Sequence, residues 1–261
     1  MKIKLLLICG LAAASLRAQA QSQDPPGIQN NPVMQRDYSK VGTNEYGSLN
    51  DITNGAPGLL TRSTKPGTLG SPYADGRWLT ADVTLANKLP LKPIMMKYDV
   101  LAHRLVMYRP APANDSIELD DHQVASFVLN EPASNAGPAR KRLFRRFAEA
   151  TTGSQHLDYV EVLHAGRYTL LKHYVKTIKR PSFQGMYSDG APVDEIEDAP
   201  EYFLKAADGP LTPVKLTSKS LQAAAPPLAA ALKTAISAQR PNSETGWASV
   251  LDATDPPVAA K

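Results

Sequence analysis

The side chains best suited to proton transfer or metal binding come closest together at Asp120-Asp121-His122. Two carboxylates beside an imidazole resemble an acid/base or metal cluster. However, neighbouring residues of a strand point to opposite faces, so Asp120 and His122 alone could converge there. One carboxylate and one imidazole fall short of the three or four ligands a metal site uses. The triplet is therefore expected to be a polar turn between Glu118 and Val124.

The five histidines stand at 103, 122, 156, 164 and 173, and no two of them share a helical face at i, i+3 or i, i+4. His103 and His173 fall in predicted strands, where a polar-face role is expected. The Gly-x-Ser-x-Gly elbow and the Gly-x-x-x-x-Gly-Lys phosphate loop are both absent. Ser154 and Ser182 approach histidines or basic residues only along the chain. No catalytic, cofactor-binding or metal-ligating constellation is legible, so no cofactor is expected. A hydrolase assembled from Asp120, His122 or His103 is the weakest of three functional expectations.

Charge is concentrated in Arg140-Lys141-Arg142-Leu143-Phe144-Arg145-Arg146-Phe147, with a second basic series at Lys172, Lys176, Lys179 and Arg180. Cations interleaved with Leu and Phe suit an anionic surface. The acidic run Asp194, Glu195, Glu197, Asp198 and Glu201 offers an internal counterpart, and compensation between the two runs is the expected outcome.

The compartment is read from the first twenty residues. Lys2 and Lys4 precede an apolar run from Leu5 to Ala14, and Ala18-Gln19-Ala20 provides a small-x-small cleavage site. This is the layout of a secretory signal peptide, too short to span a bilayer. Cys9 lies within the apolar run rather than after it, which fits a lipid anchor badly. Cleavage after Ala20 removes this single cysteine and leaves no disulfide or thiol chemistry. It also removes Lys2, Lys4 and Arg17 from a chain of net charge +4, leaving a nearly neutral protein with no nucleic-acid footprint. No transmembrane span is expected after signal removal. The location implied is exported, periplasmic or extracellular in a Gram-negative bacterium.

Residues 21–69 are expected to be irregular: positions 21–70 hold seven glycines and five prolines but only eleven large apolar or aromatic side chains. From Trp78 the chain reads as short strands at Trp78–Leu85, Leu91–Tyr98, His103–Arg109, Ser116–Leu119 and Val124–Asn130. Further strands are predicted at Leu143–Phe147, Leu157–Leu163, Tyr168–Ile178, Tyr202–Ala206 and Leu211–Leu216. Asp99-Val100-Leu101-Ala102, His164-Ala165-Gly166-Arg167 and Asp208-Gly209 supply hairpin connections. The period then becomes helical through Leu221, Ala225, Leu228, Leu232 and Ile236. Pro226-Pro227 divides this stretch, with a main helix over Pro226–Gln239. Asn242 or Ser243 caps a last helix running to Leu251 and packing through Trp247 and Val250.

The order of these motifs resembles a family of uncharacterised secreted proteins of Bacteroidota-type bacteria. The likeness rests on Gly70-Ser71-Pro72-Tyr73 before Trp78, the Leu91–Arg109 hairpin, Tyr159–Leu163 and Leu170–Lys176. It continues through Tyr202-Phe203-Leu204, Lys219-Ser220-Leu221 and the Trp247 helix. It spans about residues 70–252 and implies an exported β-rich domain with a helical C-terminus, bringing no catalytic or ligand residues with it.

The expectation is an α+β protein: a signal peptide at 1–20, an irregular segment at 21–69, and a single domain at 70–252. That domain is an antiparallel β-rich curved sheet or half-barrel with C-terminal helices, followed by a frayed tail at 253–261. The leading functional expectation is a non-enzymatic binding or scaffolding protein of the cell envelope. Its partner would be another envelope protein or an anionic surface component, with no nucleic acid. A periplasmic carrier of an apolar ligand such as a lipid is the alternative. Mass spectrometry of the exported protein is expected to find Gln21 at its N-terminus; retention of Lys2 and Lys4 would show that the leader reading is wrong.

Overall fold

The computed structural model describes residues 64–88, 91–111, 113–135, 137–180 and 193–256. Every described residue falls within one compact unit. The leader and positions 21–63 of the irregular segment lie outside the described residues.

Alternating apolar and polar residues make the first strand, β1 (Leu79–Leu85). Leu79, Ala81, Val83 and Leu85 are buried, while Thr80, Asp82 and Thr84 face solvent. Next come β2 (Ile94–Asp99), β3 (Arg104–Arg109), β4 (Asp115–Glu118), β5 (Val124–Glu131) and β6 (Arg140–Arg146). The remaining strands are β7 (Tyr159–Ala165), β8 (Tyr168–His173), β9 (Lys176–Lys179), β10 (Glu195–Asp198), β11 (Glu201–Ala206) and β12 (Leu211–Val214). Ten of them form one open antiparallel sheet in the order β12-β11-β8-β7-β6-β5-β1-β2-β3-β4. The α+β expectation, with a β-rich domain and C-terminal helices, therefore holds.

Strands β9 and β10 stand apart as a two-stranded sheet. The run read as an acidic loop is thus partly strand: Ile196 is buried opposite Ile178, with Glu195 and Glu197 facing outward. Leu69 bridges to Glu195, which brings order to the chain just before Gly70.

Under β1–β6 the core is aromatic. Phe127 and Phe144 are paired in register across β5 and β6, and their rings stack at 4.8 Å. Tyr98 meets Phe127, Phe144 and Tyr159 edge-on at 5.6–6.4 Å. Such pairs each add about 0.5–1.5 kcal/mol beyond the area they bury.

The other end of the sheet is covered on both faces. One face of β8, β11 and β12 presents Leu170, Leu204 and Val214 to three helices, α1 (Ser218–Ala224), α2 (Ala229–Gln239) and α3 (Glu244–Thr254). These contribute Leu221, Leu232, Val250 and Leu251. The opposite face packs Val160 and Leu171 beneath Phe147 and Ala150. Ser243 caps α3 by accepting a hydrogen bond from the Gly246 amide.

Helix α3 is fixed to the β7–β8 turn. The Asp255 carboxylate, just past its end, accepts the Tyr168 amide at 2.8 Å and the Arg167 guanidinium at 3.1 Å. Buried His164 reaches Asp252 at 2.6 Å. A Cβ on Gly166 would lie 2.5 Å from Asp255 Oδ2, so the turn needs a residue without a side chain there. The chain stays ordered through Asp255, which is buried, so fraying does not begin at 253.

A buried ion network crosses the middle of the sheet. Arg142 on β6 holds Glu161 on β7 through two bonds of 3.0 Å, and also donates to Asp75 at 3.0 Å and to the Tyr174 hydroxyl at 2.7 Å. Tyr174 in turn donates to Glu161. Removing one member of a buried pair leaves the other charge uncompensated, at a cost of about 3–5 kcal/mol. Glu161→Ala is expected to lose stability of that order in urea unfolding. Glu118→Ala, which removes an exposed partner of Arg104, is expected to cost no more than about 1 kcal/mol.

Candidate functional site

Four titratable side chains from separate segments meet where the β2–β3 turn approaches the start of β7, the end of β8 and the start of β11. Asp158 sits between a 3₁₀ turn (Gly153–Leu157) and the start of β7, and is 5% exposed. One of its oxygens lies 2.6 Å from His103 Nδ1 and the other 2.9 Å from His173 Nε2. His173 ends β8 directly opposite Glu201, the first residue of β11, and its Nδ1 lies 3.2 Å from Glu201 Oε2. The result is a chain of contacts running His103–Asp158–His173–Glu201.

Each member is held by its own element. The β2–β3 connection is tied down by Asp99, whose carboxylate accepts the Ala102 amide at 3.1 Å, and by the Val100 amide donating to Pro72 O at 3.0 Å. Its last residue, His103, has φ of 52°, in the left-handed region that glycine tolerates best. A non-glycine residue there carries a strain of roughly 1–2 kcal/mol. The Asp158 carbonyl accepts the Phe147 amide at 3.0 Å, and the Phe147 ring lies 5.3 Å from the His173 ring.

His103 faces outward. Its side chain is 61% exposed while Asp158 behind it is buried, so Nδ1 is engaged and Nε2 is presented to solvent. The cleft in front has a volume of about 500 Å³. Val100, Leu157, Tyr174 and Val175 form its apolar walls, with Ser154 and Gln155 as polar ones. A buried carboxylate behind an exposed imidazole fixes the ring's orientation. General acid–base chemistry uses a base held in this way.

Burial would raise the Asp158 pKa, but hydrogen bonds from His173 and His103 outweigh it and hold the carboxyl below its usual range. Burial would likewise lower the His173 pKa, but Asp158 and Glu201 outweigh it and raise the value above 6.5. His173 between two carboxylates is therefore favoured as the imidazolium.

The other chemical candidates are dispersed. Asp120, Asp121 and His122 do have ligand atoms within 4.8 Å of one another. Yet Asp120 caps the short 3₁₀ turn Asp121–Gln123 by accepting the His122 amide, and Asp121 pairs with Arg146 at 3.2 Å. The triplet forms a turn as expected, but all three side chains converge rather than Asp120 and His122 alone, because the backbone there is a 3₁₀ turn and not a strand. His156 is exposed on the turn beside the cleft, and His164 serves the α3 attachment. Ser182 lies outside the described residues.

The polar-face roles expected for His103 and His173 are corrected: one closes a turn and the other is buried. Asp158 carried no signal in the sequence, because its partners lie 55 residues before it and 15 after.

The basic strand is compensated from other quarters than the acidic run. Arg140 pairs with Glu131, Arg142 with Glu161 and Asp75, Arg145 with Glu149, and Arg146 with Asp121. The acidic run instead meets Lys65, Lys176 and His173 through Asp194, Asp198 and Glu201. Lys172 of the second basic series is held by Glu244 at 2.7 Å.

No family model, curated protein or solved structure matches the chain.

The linkage between site and fold has a definite sign. His173 has a native pKa above its unfolded value near 6.5, so its contribution is complete below that value and lost as pH rises through the native one. Asp158 contributes above about 3.8, and its share is lost as pH falls through its lower native value. Urea midpoints are expected to fall as pH rises from 6.5 through the His173 titration, and His173→Gln should flatten that slope. The His173 ring protons, followed by NMR, should titrate above 6.5.

Proposed function

We propose that this is an exported protein of the cell envelope that binds its ligand in the surface cleft around His103. One observation carries the reading: an exposed imidazole, fixed from behind by a buried carboxylate, opens onto a surface cleft. Of the two alternatives weighed on the sequence, the lipid carrier loses ground. The Tyr98, Phe127, Phe144 and Tyr159 rings pack on one another in the core, and four clefts lined by described residues, of about 500–690 Å³, open at the surface. An anionic surface is a weaker partner than the composition suggested, since four of the five cations of the basic strand have carboxylate partners. Among the described residues no helix is long and apolar enough to cross a membrane.

Native mass spectrometry of the protein purified from its own envelope tests this reading. Wild-type protein is expected to retain a bound species that His103→Ala loses. A lipid retained equally by both proteins would favour the carrier instead.

A further inference from the structure

We infer that the cleft is a catalytic centre as well as a binding site, with His103 acting as general base toward a small neutral ester. The inference rests on the cleft being the ligand site and adds the chemistry done there.

Geometry is the first support. With Nδ1 held 2.6 Å from Asp158, the His103 ring can turn little, and Nε2 is its free basic atom. Asp158 is anchored in turn by His173 at 2.9 Å, so the carboxylate cannot swing away when His103 becomes charged. This is the base-and-orienter relation of a catalytic dyad, extended by one further imidazole.

The backbone is the second support. His103 occupies a left-handed position at φ 52° that glycine would fill without strain, and strained residues of this kind cluster at functional sites.

Charge indicates the substrate class. The groups facing His103 are Asp158, Glu201 and the His173 imidazolium between them, a set with a net negative charge. Lys176 lines the same cleft but is committed to Asp198 at 3.1 Å, and nearby Arg146 donates to the Leu157 carbonyl and to Asp121. An anionic substrate would be repelled, whereas a neutral one is not. The apolar walls and the volume of about 500 Å³ suit a small acyl group.

In the reaction, a water oxygen bonds to the acyl carbon as one water proton passes to His103 Nε2. The carbonyl π electrons move onto the carbonyl oxygen. On collapse the C–O bond to the leaving group breaks, and the departing alkoxide takes the proton back from His103. Ester and water become carboxylic acid and alcohol, and the imidazole returns to its neutral form. Asp158 is a positioning residue that holds the ring with Nε2 toward the water.

The test is hydrolysis of p-nitrophenyl butyrate by the full chain. Wild-type protein is expected to show saturable turnover. His103→Gly, which relieves the strained turn while removing the base, should lower kcat/KM by about 10²-fold or more with the fold intact by circular dichroism. His122→Ala, at an exposed position outside the cleft, should match wild type. Asp158→Asn should lower kcat by about tenfold or more while leaving KM near the wild-type value, because the cleft walls remain and only the orientation of the base is lost; a merely structural role would move both together. Catalysis is overturned if wild type is no faster than free imidazole at equal concentration, or if His103→Gly keeps the wild-type rate. A ligand retained in native mass spectrometry together with absent turnover overturns the catalysis and leaves the binding reading standing.

Discussion

The buried guanidinium of Arg142 is the constraint on which the rest of the fold depends. A permanently charged group in the middle of a sheet is tolerated only when all of its sides are answered. Glu161, Asp75 and the Tyr174 hydroxyl do so from β7, from the segment before β1 and from just beyond β8. These bonds join the two halves of a long open sheet, which would otherwise be held at that point by strand pairing alone. They also set the cleft. Glu161 on β7 is three residues from Asp158, which directly precedes that strand, and Tyr174 directly follows His173. The register that completes the ion network therefore also brings Asp158 and His173 together.

The two charge systems share a logic but differ in exposure. Around Arg142 the charges are enclosed and serve the packing of neighbouring strands. Around Asp158 the same kind of pairing continues outward until it ends on His103, in solvent. A network that stops at an exposed imidazole has one site left for a ligand or a proton. The left-handed backbone of His103 and the paired state of His173 coincide at that end.

Much of the architecture was legible in local pattern. Alternation marks β1, the Asp99–Ala102 connection predicts the β2–β3 hairpin, and the alanine-rich stretch around Pro226-Pro227 predicts two helices with a break between them. Elements defined by distant partners were not legible. β10 reads as an acidic loop because only Ile196 faces inward, and its strand character comes from pairing with β9. Helix α3 extends past Leu251 because Asp255 is held by the β7–β8 turn, which the helix sequence cannot announce. The basic strand had the right expectation of compensation with the wrong partners, since sequence proximity says nothing about which carboxylates arrive from across the sheet.

The sequence by itself determined the element types and the α+β class. Side-chain periodicity and turn chemistry act over a few residues, and they are written into the chain wherever they occur. Only the tertiary structure decided which titratable groups meet. His103, Asp158, His173 and Glu201 are spread over 99 positions, and each alone is an ordinary polar residue. Their joint chemistry arises because antiparallel pairing places His173 opposite Glu201, and because the β2–β3 turn folds over the start of β7. Burial and mutual charge then alter what these groups do. Neither exists until the strands are in register.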